Sequence, residues 1–250
     1  MQITSIKPAM NTSILNWQYE PSGEHCLILS LPDDPAPYRT LAQLAVFLQH
    51  PPLFGVCDIV PASHSVGIYY QPHRFWHRDP SLSPYQQLVK QLTARLAEFT
   101  PHLAQTGREV VIPVCYAAEY ALDLPLIAQQ SGLSVPDVIA HHQACIADVI
   151  MLGFLPGLPY LGGLDTCFMS PRRATPRMRV EQGAVGVANG MGVIYPQASP
   201  GGWNIIGRTP LMLFTASHSP PCLLQAGDRV RFQAISRDEF RQWEGNNDGN

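Results

Sequence analysis

The densest group of chemistry-bearing residues is PRRATPRMRV, which places Arg172, Arg173, Arg177 and Arg179 within ten residues. These are four of the 16 lysines and arginines in the chain, and no acidic residue falls between 166 and 180. Pro171 and Pro176 stiffen the backbone around them. Guanidiniums on such a frame can hold a carboxylate or phosphate through paired hydrogen bonds, and Arg172 and Arg177 are the candidates for that role. A solvated basic turn or a partner-facing patch is the alternative reading of the same residues. His141, the first of two adjacent histidines near a helix end, is a candidate acid/base or positioning group. Its plain alternative is to cap helix carbonyls. Further on, GAVGVANGMG and SPGGWNIIGRTP bring Gly190, Gly201 and Gly202, where a backbone without side chains can approach a ligand or present N–H groups to an oxyanion. Glycines of this kind also serve simply as barrel corners. Arg208 follows WNIIG and is expected to face the same cavity.

Other chemistries lack their motifs. The chain contains no GxxxxGK[ST] loop, no GxGxxG opening a helix after a strand, no HExxH and no GxSxG. His73 and His77 have the spacing of two ligands on a helix, but Pro72 and Pro80 bracket them and no third ligand is in reach. No metal site is expected.

The elements that must position these residues fall into two textures. CLILSL (26–31) reads as a strand, and Tyr38, Leu41, Leu44, Ala45 and Leu48 form a helical stripe ended by Pro51-Pro52. GVCDIVP and SVGIYYQP read as two strands. Ser83, Pro84 and Gln86 then open a helix with a capping box. The order β-α-β-β-α predicts a small ferredoxin-like α+β domain over residues 1–105. After the polar break TPHLAQTG come the strand REVVIPVCY and two short helices, one from Asp123 to Gly132 and one opened by Ser134. GFLPGLPYLGGL is too rich in Gly and Pro to hold a helix or strand, and a rigid shaped loop is expected there. ADVIMLGF, GAVGVANG, GVIYP, WNIIGR, LMLF and DRVRFQAI are short strand candidates, so residues 106–240 predict a mainly β barrel domain. Residues 241–250 are expected to form a disordered tail.

Composition narrows the function class. Of 250 residues, 46% are hydrophobic and 14% charged, against about 25% charged in typical domains. The formal charge of −3 offers no field for nucleic acid or an anionic membrane, so neither is an expected partner. No apolar run approaches the roughly 18 residues of a spanning helix. The opening MQITSIKPAMNTS does not read as a signal peptide, and six scattered cysteines without a CxxC pair read as free thiols. A cytoplasmic protein is expected.

GFLPGLPYLGGL, PRRATPR, GVIYP and SPGGWNIIGRTPLMLF together resemble the allophanate hydrolase subunit 1 family, which includes the 5-oxoprolinase B-type subunits and the kinase inhibitor KipI. The likeness extends through IPVCYAAEYALDL, GLSVPDVIAHH and AGDRVRF, densest over 108–233. It implies an N-terminal α+β domain followed by a cyclophilin-like β-barrel. It also implies one component of an ATP-dependent 5-oxoprolinase, inactive alone, that opens 5-oxoproline to glutamate with C-type and A-type partner subunits. ATP, with its Mg, would then be bound atypically or by a partner. Two alternatives come with the family: an inhibitor of a sensor histidine kinase, or half of a urea carboxylase carboxyltransferase module. By position the family's motif residues fall on His141, Tyr160, Arg172, Arg177, Gly201, Gly202, Trp203 and Arg208, with Gly190 beside them. Where the family usually reads GGQTG, this chain has Asn189-Gly190-Met191-Gly192-Val193.

Overall fold

The computed structural model describes residues 15–34, 37–101 and 107–247, with side chains to 244. Strands β1 (Gln18–Ser22), β2 (Cys26–Ser30), β3 (Val56–Pro61) and β4 (Ser65–Tyr70) form one antiparallel sheet in the order β1-β2-β4-β3. Helices α1 (Tyr38–Gln49) and α2 (Pro84–Leu96) join it. Alternation in β4 sends Val66, Ile68 and Tyr70 to the same face, where they meet Leu41, Leu44 and Leu48 of α1 and Leu88 and Leu92 of α2. The capping box of α2 forms as its sequence predicts. The Gln86 N–H donates to Ser83 Oγ over 3.2 Å and the Ser83 N–H to Gln86 Oε1 over 2.8 Å. Buried Gln87 then ties down the preceding loop by donating to the carbonyls of Phe75, Asp79 and Leu82. The sequence reading did not foresee β1: QYEPS is polar and mostly exposed, and it exists as a strand only because β2 offers a free edge.

The second body is a closed barrel, built from β5 (Glu109–Cys115), β6 (Ile146–Leu152), β7 (Pro159–Gly162), β9 (Ala184–Ala188), β10 (Met191–Ile194), β12 (Asn204–Arg208) and β13 (Arg229–Ile235). Its order is β10-β7-β6-β13-β5-β12-β9, closed by the β9–β10 hairpin. Strands β13 and β5 run parallel over seven paired residues, while the remaining neighbours are antiparallel. A short ribbon, β8 (Arg177–Val180) with β11 (Ser199–Gly201), stands outside the barrel. Helices α3 (Leu124–Ser131) and α4 (Val135–Ala144) lie between β5 and β6, and α5 (Arg237–Asn247) follows β13.

The barrel is full. Ile112, Val149, Leu161, Val187, Ile206 and Phe232 belong to one buried cluster, so the interior is a core and a ligand must use the outer wall. That wall is shaped by small residues on β9, whose outward positions are Ala184, Gly186 and Ala188, against which Trp203 packs. A Cβ on Gly186 would stand 2.8 Å from Trp203 Cβ. Gly186→Ala should therefore destabilise the chain by about 1–3 kcal/mol through overpacking. The check is a lower urea midpoint at unchanged denaturant dependence.

Three expectations need correction. The Gly- and Pro-rich GFLPGLPYLGGL does contain a strand, β7, because Tyr160 and Leu161 are paired on both sides by β6 and β10. LMLF is not a strand: Leu213 plugs the barrel core, and Phe214 makes only an isolated bridge with Cys222. The expected disordered tail from 241 is helical to Asn247, and the last three residues lie outside the described ones. Phe240 is fully buried and its ring centroid lies 4.5 Å from that of Tyr120, which anchors α5 to the barrel. The polar break near 100–107 falls largely on residues outside the described ones. Among the described residues no helix is long and apolar enough to cross a membrane.

Candidate functional site

The arginine cluster divides by what each guanidinium touches. Arg173 Nη1 donates to Asp123 Oδ1 over 2.9 Å, and Arg177 engages both oxygens of the same carboxylate over 2.8 Å each. The Ile205 N–H donates to Asp123 Oδ2 over 2.7 Å, and the Asp123 N–H to the Ile205 carbonyl over 2.8 Å. Asp123 is only 4% exposed, so two arginines and a backbone amide neutralise one buried charge. Arg177, expected to bind an anionic ligand, already holds one that belongs to the protein. The pairing ties the 171–180 segment to the start of α3 and to β12. Sequence reading missed Asp123 because it stands about fifty residues earlier and looks like a helix cap. Its side chain in fact makes no capping bond. Arg179 pairs with Glu181 in solvent.

Arg172 is different. It has no ion pair among the described residues, and its Cζ lies 4.6 Å from the centroid of the Trp203 ring. Trp203 also receives Tyr160 edge-on, with ring centroids 6.2 Å apart. Arg172, Tyr160 and Met191 border a cavity of about 410 Å³, with Tyr38, His64, Ile150 and Met151 also lining it. The cavity thus lies between the barrel's outer wall and the N-terminal sheet and helices. An exposed guanidinium resting over an indole, beside a phenol and apolar side chains, can fix a small carboxylate or a phosphoryl group. A larger cavity of about 860 Å³ runs along α1. Its cations are engaged: Arg39 with Asp148 at 2.6 Å, and Arg229 near Glu109 at 3.9 Å. The smaller cavity is therefore the better anion site.

The expected glycines support this wall rather than line it. A Cβ on Gly201 would come within 2.2 Å of the Tyr195 hydroxyl, and the Gly202 carbonyl accepts from the Arg173 N–H over 2.8 Å. The Trp203 N–H reaches the Tyr195 oxygen, and burial pushes the Tyr195 phenol up to about 12. Gly190, at φ 72°, makes the β9–β10 turn that presents Met191. Arg208 lies elsewhere. Its Nε donates to the Gln182 carbonyl over 2.7 Å, its Nη2 reaches Glu244 at 3.3 Å, and it sits over Tyr120 and Phe240. It faces α5, because the register shift in β12 between Ile205 and Gly207 turns the strand before Arg208 is reached.

His141 is also apart from the arginines. Its Nδ1 lies 3.2 Å from Asp165 Oδ2, and no bond or ring contact joins it to Arg172 or Arg177 among the described residues. Its neighbour His142 is 1% exposed, stacks on Phe232 with ring centroids 3.8 Å apart, and shares a 2.6 Å hydrogen bond with the Tyr116 hydroxyl through Nδ1. Burial lowers the His142 pKa to about 3 and raises that of Tyr116. In the unfolded chain the imidazole takes up a proton near its ordinary pKa of about 6.5. The unfolded state therefore binds more protons between these values, and this contribution to stability falls as pH drops from about 6.5 toward about 3. His142→Phe should flatten that part of an acid-unfolding profile, where one proton accounts for about 1.4 kcal/mol per pH unit.

This architecture has known relatives. The family described as carboxyltransferase domain, subdomain C and D, matches residues 17–224. The chain belongs to that family. The B subunit of the Bacillus subtilis 5-oxoprolinase is 36% identical over 201 residues, covering 80% of this chain and 84% of the relative. Its namesake from Haemophilus influenzae is 43% identical over 148 residues, 59% of this chain and 69% of its own. The crystal structure of TTHA0988 superposes with a TM-score of 0.70 at 34% identity, over 85% of this chain. The match spans only 40% of that longer chain. Family membership accounts for the order of the sequence blocks, and the barrel they build is the one described above.

Proposed function

We propose that this chain is the B-type subunit of a 5-oxoprolinase, a hydrolase that opens the lactam of 5-oxoproline to glutamate. The observation that carries the reading is the 36% identity to a protein of that name along 84% of its length. In the reaction the oxygen of water adds to the lactam carbonyl carbon, the ring C–N bond breaks, and the nitrogen leaves as the amine of glutamate. An unstrained lactam is a poor electrophile, so the proposal includes ATP: phosphoryl transfer to the carbonyl oxygen releases ADP, water opens the activated ring to an acyl phosphate of glutamate, and a second water releases inorganic phosphate. Arg172, held by Trp203, is assigned to the substrate carboxylate or the phosphorylated oxygen, with Tyr160 closing the pocket beside it. With Arg173 and Arg177 committed to Asp123, this chain keeps one guanidinium of the cluster for an anion. The triphosphate and its Mg are accordingly assigned to a partner surface.

In this reading the B-type chain is inactive alone, works in the cytoplasm, and joins C-type and A-type subunits. Its first hundred residues are read as a ferredoxin-like unit and its barrel as cyclophilin-like. Purified chain is expected to release no glutamate from 5-oxoproline and ATP. Addition of the C-type and A-type subunits should restore turnover. A reconstituted three-component mixture without glutamate release would reject the assignment. Inhibition of a sensor histidine kinase by the same preparation would then favour a KipI-like role, for which Met191 in the cavity wall is the supporting feature.

A further inference from the structure

No metal site is expected from the sequence, yet the fold gathers three possible ligands at the end of α4, with Cys145 beside them. His141 Nδ1, an Asp165 carboxylate oxygen and Cys167 Sγ all lie within 4.8 Å of one another. All three residues are half-buried. His141 lies in the last turn of α4 and Cys145 caps that helix end, its N–H donating to the His141 carbonyl. Asp165 and Cys167 flank a 3-10 turn in which the Cys167 N–H donates to Asp165 Oδ1 over 2.9 Å. That bond leaves Asp165 Oδ2 aimed at His141. The Cys145 sulfur accepts from the Asp165 N–H and lies close enough to bear on the Cys167 thiol.

We propose that His141, Asp165 and Cys167, with Cys145 as the fourth ligand, bind a divalent transition metal of the zinc class. One imidazole nitrogen, one carboxylate oxygen and two sulfurs form a borderline-soft donor set that suits zinc over magnesium or calcium. Bonds of about 2.0–2.3 Å in a tetrahedron put ligand atoms about 3.5 Å apart, so shifts of about 1 Å bring the His141, Asp165 and Cys167 atoms onto one ion, and a rotation of Cys145 completes the set. The site is separate from Arg172 and does not depend on the proposed enzymatic role. Its four ligands join α4 to the segment that leads to the arginines, so its service is to fix that segment.

Cobalt(II) added to the reduced, metal-free full chain tests this directly. One equivalent should give an intense sulfur-to-cobalt charge-transfer band with tetrahedral d–d absorption, and zinc should displace it. Cys167→Ser should roughly halve the charge-transfer intensity and weaken binding about tenfold or more, and Cys145→Ser should do likewise. Asp165→Asn, at a partly exposed side chain that the fold tolerates, should weaken binding to a similar degree with an unchanged circular dichroism spectrum. Cys57→Ser, at an exposed thiol in the N-terminal sheet, should change nothing. No charge-transfer band in the parent chain would overturn the proposal, as would a band lost in Cys57→Ser but kept in Cys167→Ser.

Discussion

Arg177→Ala lowers the melting temperature of the chain by about 6–12 °C, and Asp123→Ala lowers it at least as much. Removing one partner of a buried ion pair destabilises by about 3–5 kcal/mol, because the remaining charge stays in a poorly solvated place. Asp123 without Arg177 still keeps Arg173 and the Ile205 N–H, which puts the expected loss near the lower end, about 3 kcal/mol. At this chain length one kcal/mol moves the midpoint by roughly 2–4 °C. The measurement is a thermal melt of each single variant and of the double variant. Strong coupling between the two changes is expected, since both act on one carboxylate. A stable Arg177→Ala chain that assembles but fails to turn over would return Arg177 to the ligand.

Arg172→Ala has the opposite profile. The side chain is exposed and only stacks on Trp203, a contact of about 0.5–1 kcal/mol, so the melt should move by no more than about 4 °C. In the assembled enzyme, loss of a charged hydrogen-bonding group of about 1.5–3 kcal/mol should lower kcat/KM by roughly 10- to 150-fold. Arg172→Lys keeps the charge but loses the planar fork, and should recover only part of the rate. Glutamate release at several 5-oxoproline concentrations measures all three chains. Parent-like turnover in Arg172→Ala would remove the cavity beside Trp203 from the mechanism.

Much of the architecture is legible in the chain itself. The stripe Leu41, Leu44, Ala45 and Leu48 can only be a helix face, and Ser83 with Gln86 can only open a helix efficiently, because both signals are local. The succession β2-α1-β3-β4-α2 follows the order expected from these patterns. The run of short strands after residue 146 likewise announces a barrel. Strands that depend on neighbours are less legible. β1 is polar and β7 is crossed by prolines and glycines, and each is stabilised by edges that other strands supply. The part of α5 from 241 on is read as a tail because its sequence is polar, while Phe240 just before it, one buried ring, is enough to dock the helix.

For the site, the sequence determined which groups exist: a stiff basic segment, a Trp203 platform among glycines, and scattered thiols and histidines. Only the tertiary structure decided which of them are available. Charge pairing acts over a few ångströms in space and at any separation in sequence. Asp123 therefore claims Arg173 and Arg177 from about fifty residues away, and Arg172 is left facing the cavity. The two histidines differ by one position, yet a helix turns about 100° per residue. His142 is thereby driven into the barrel core, and His141 is left beside Asp165 and Cys167.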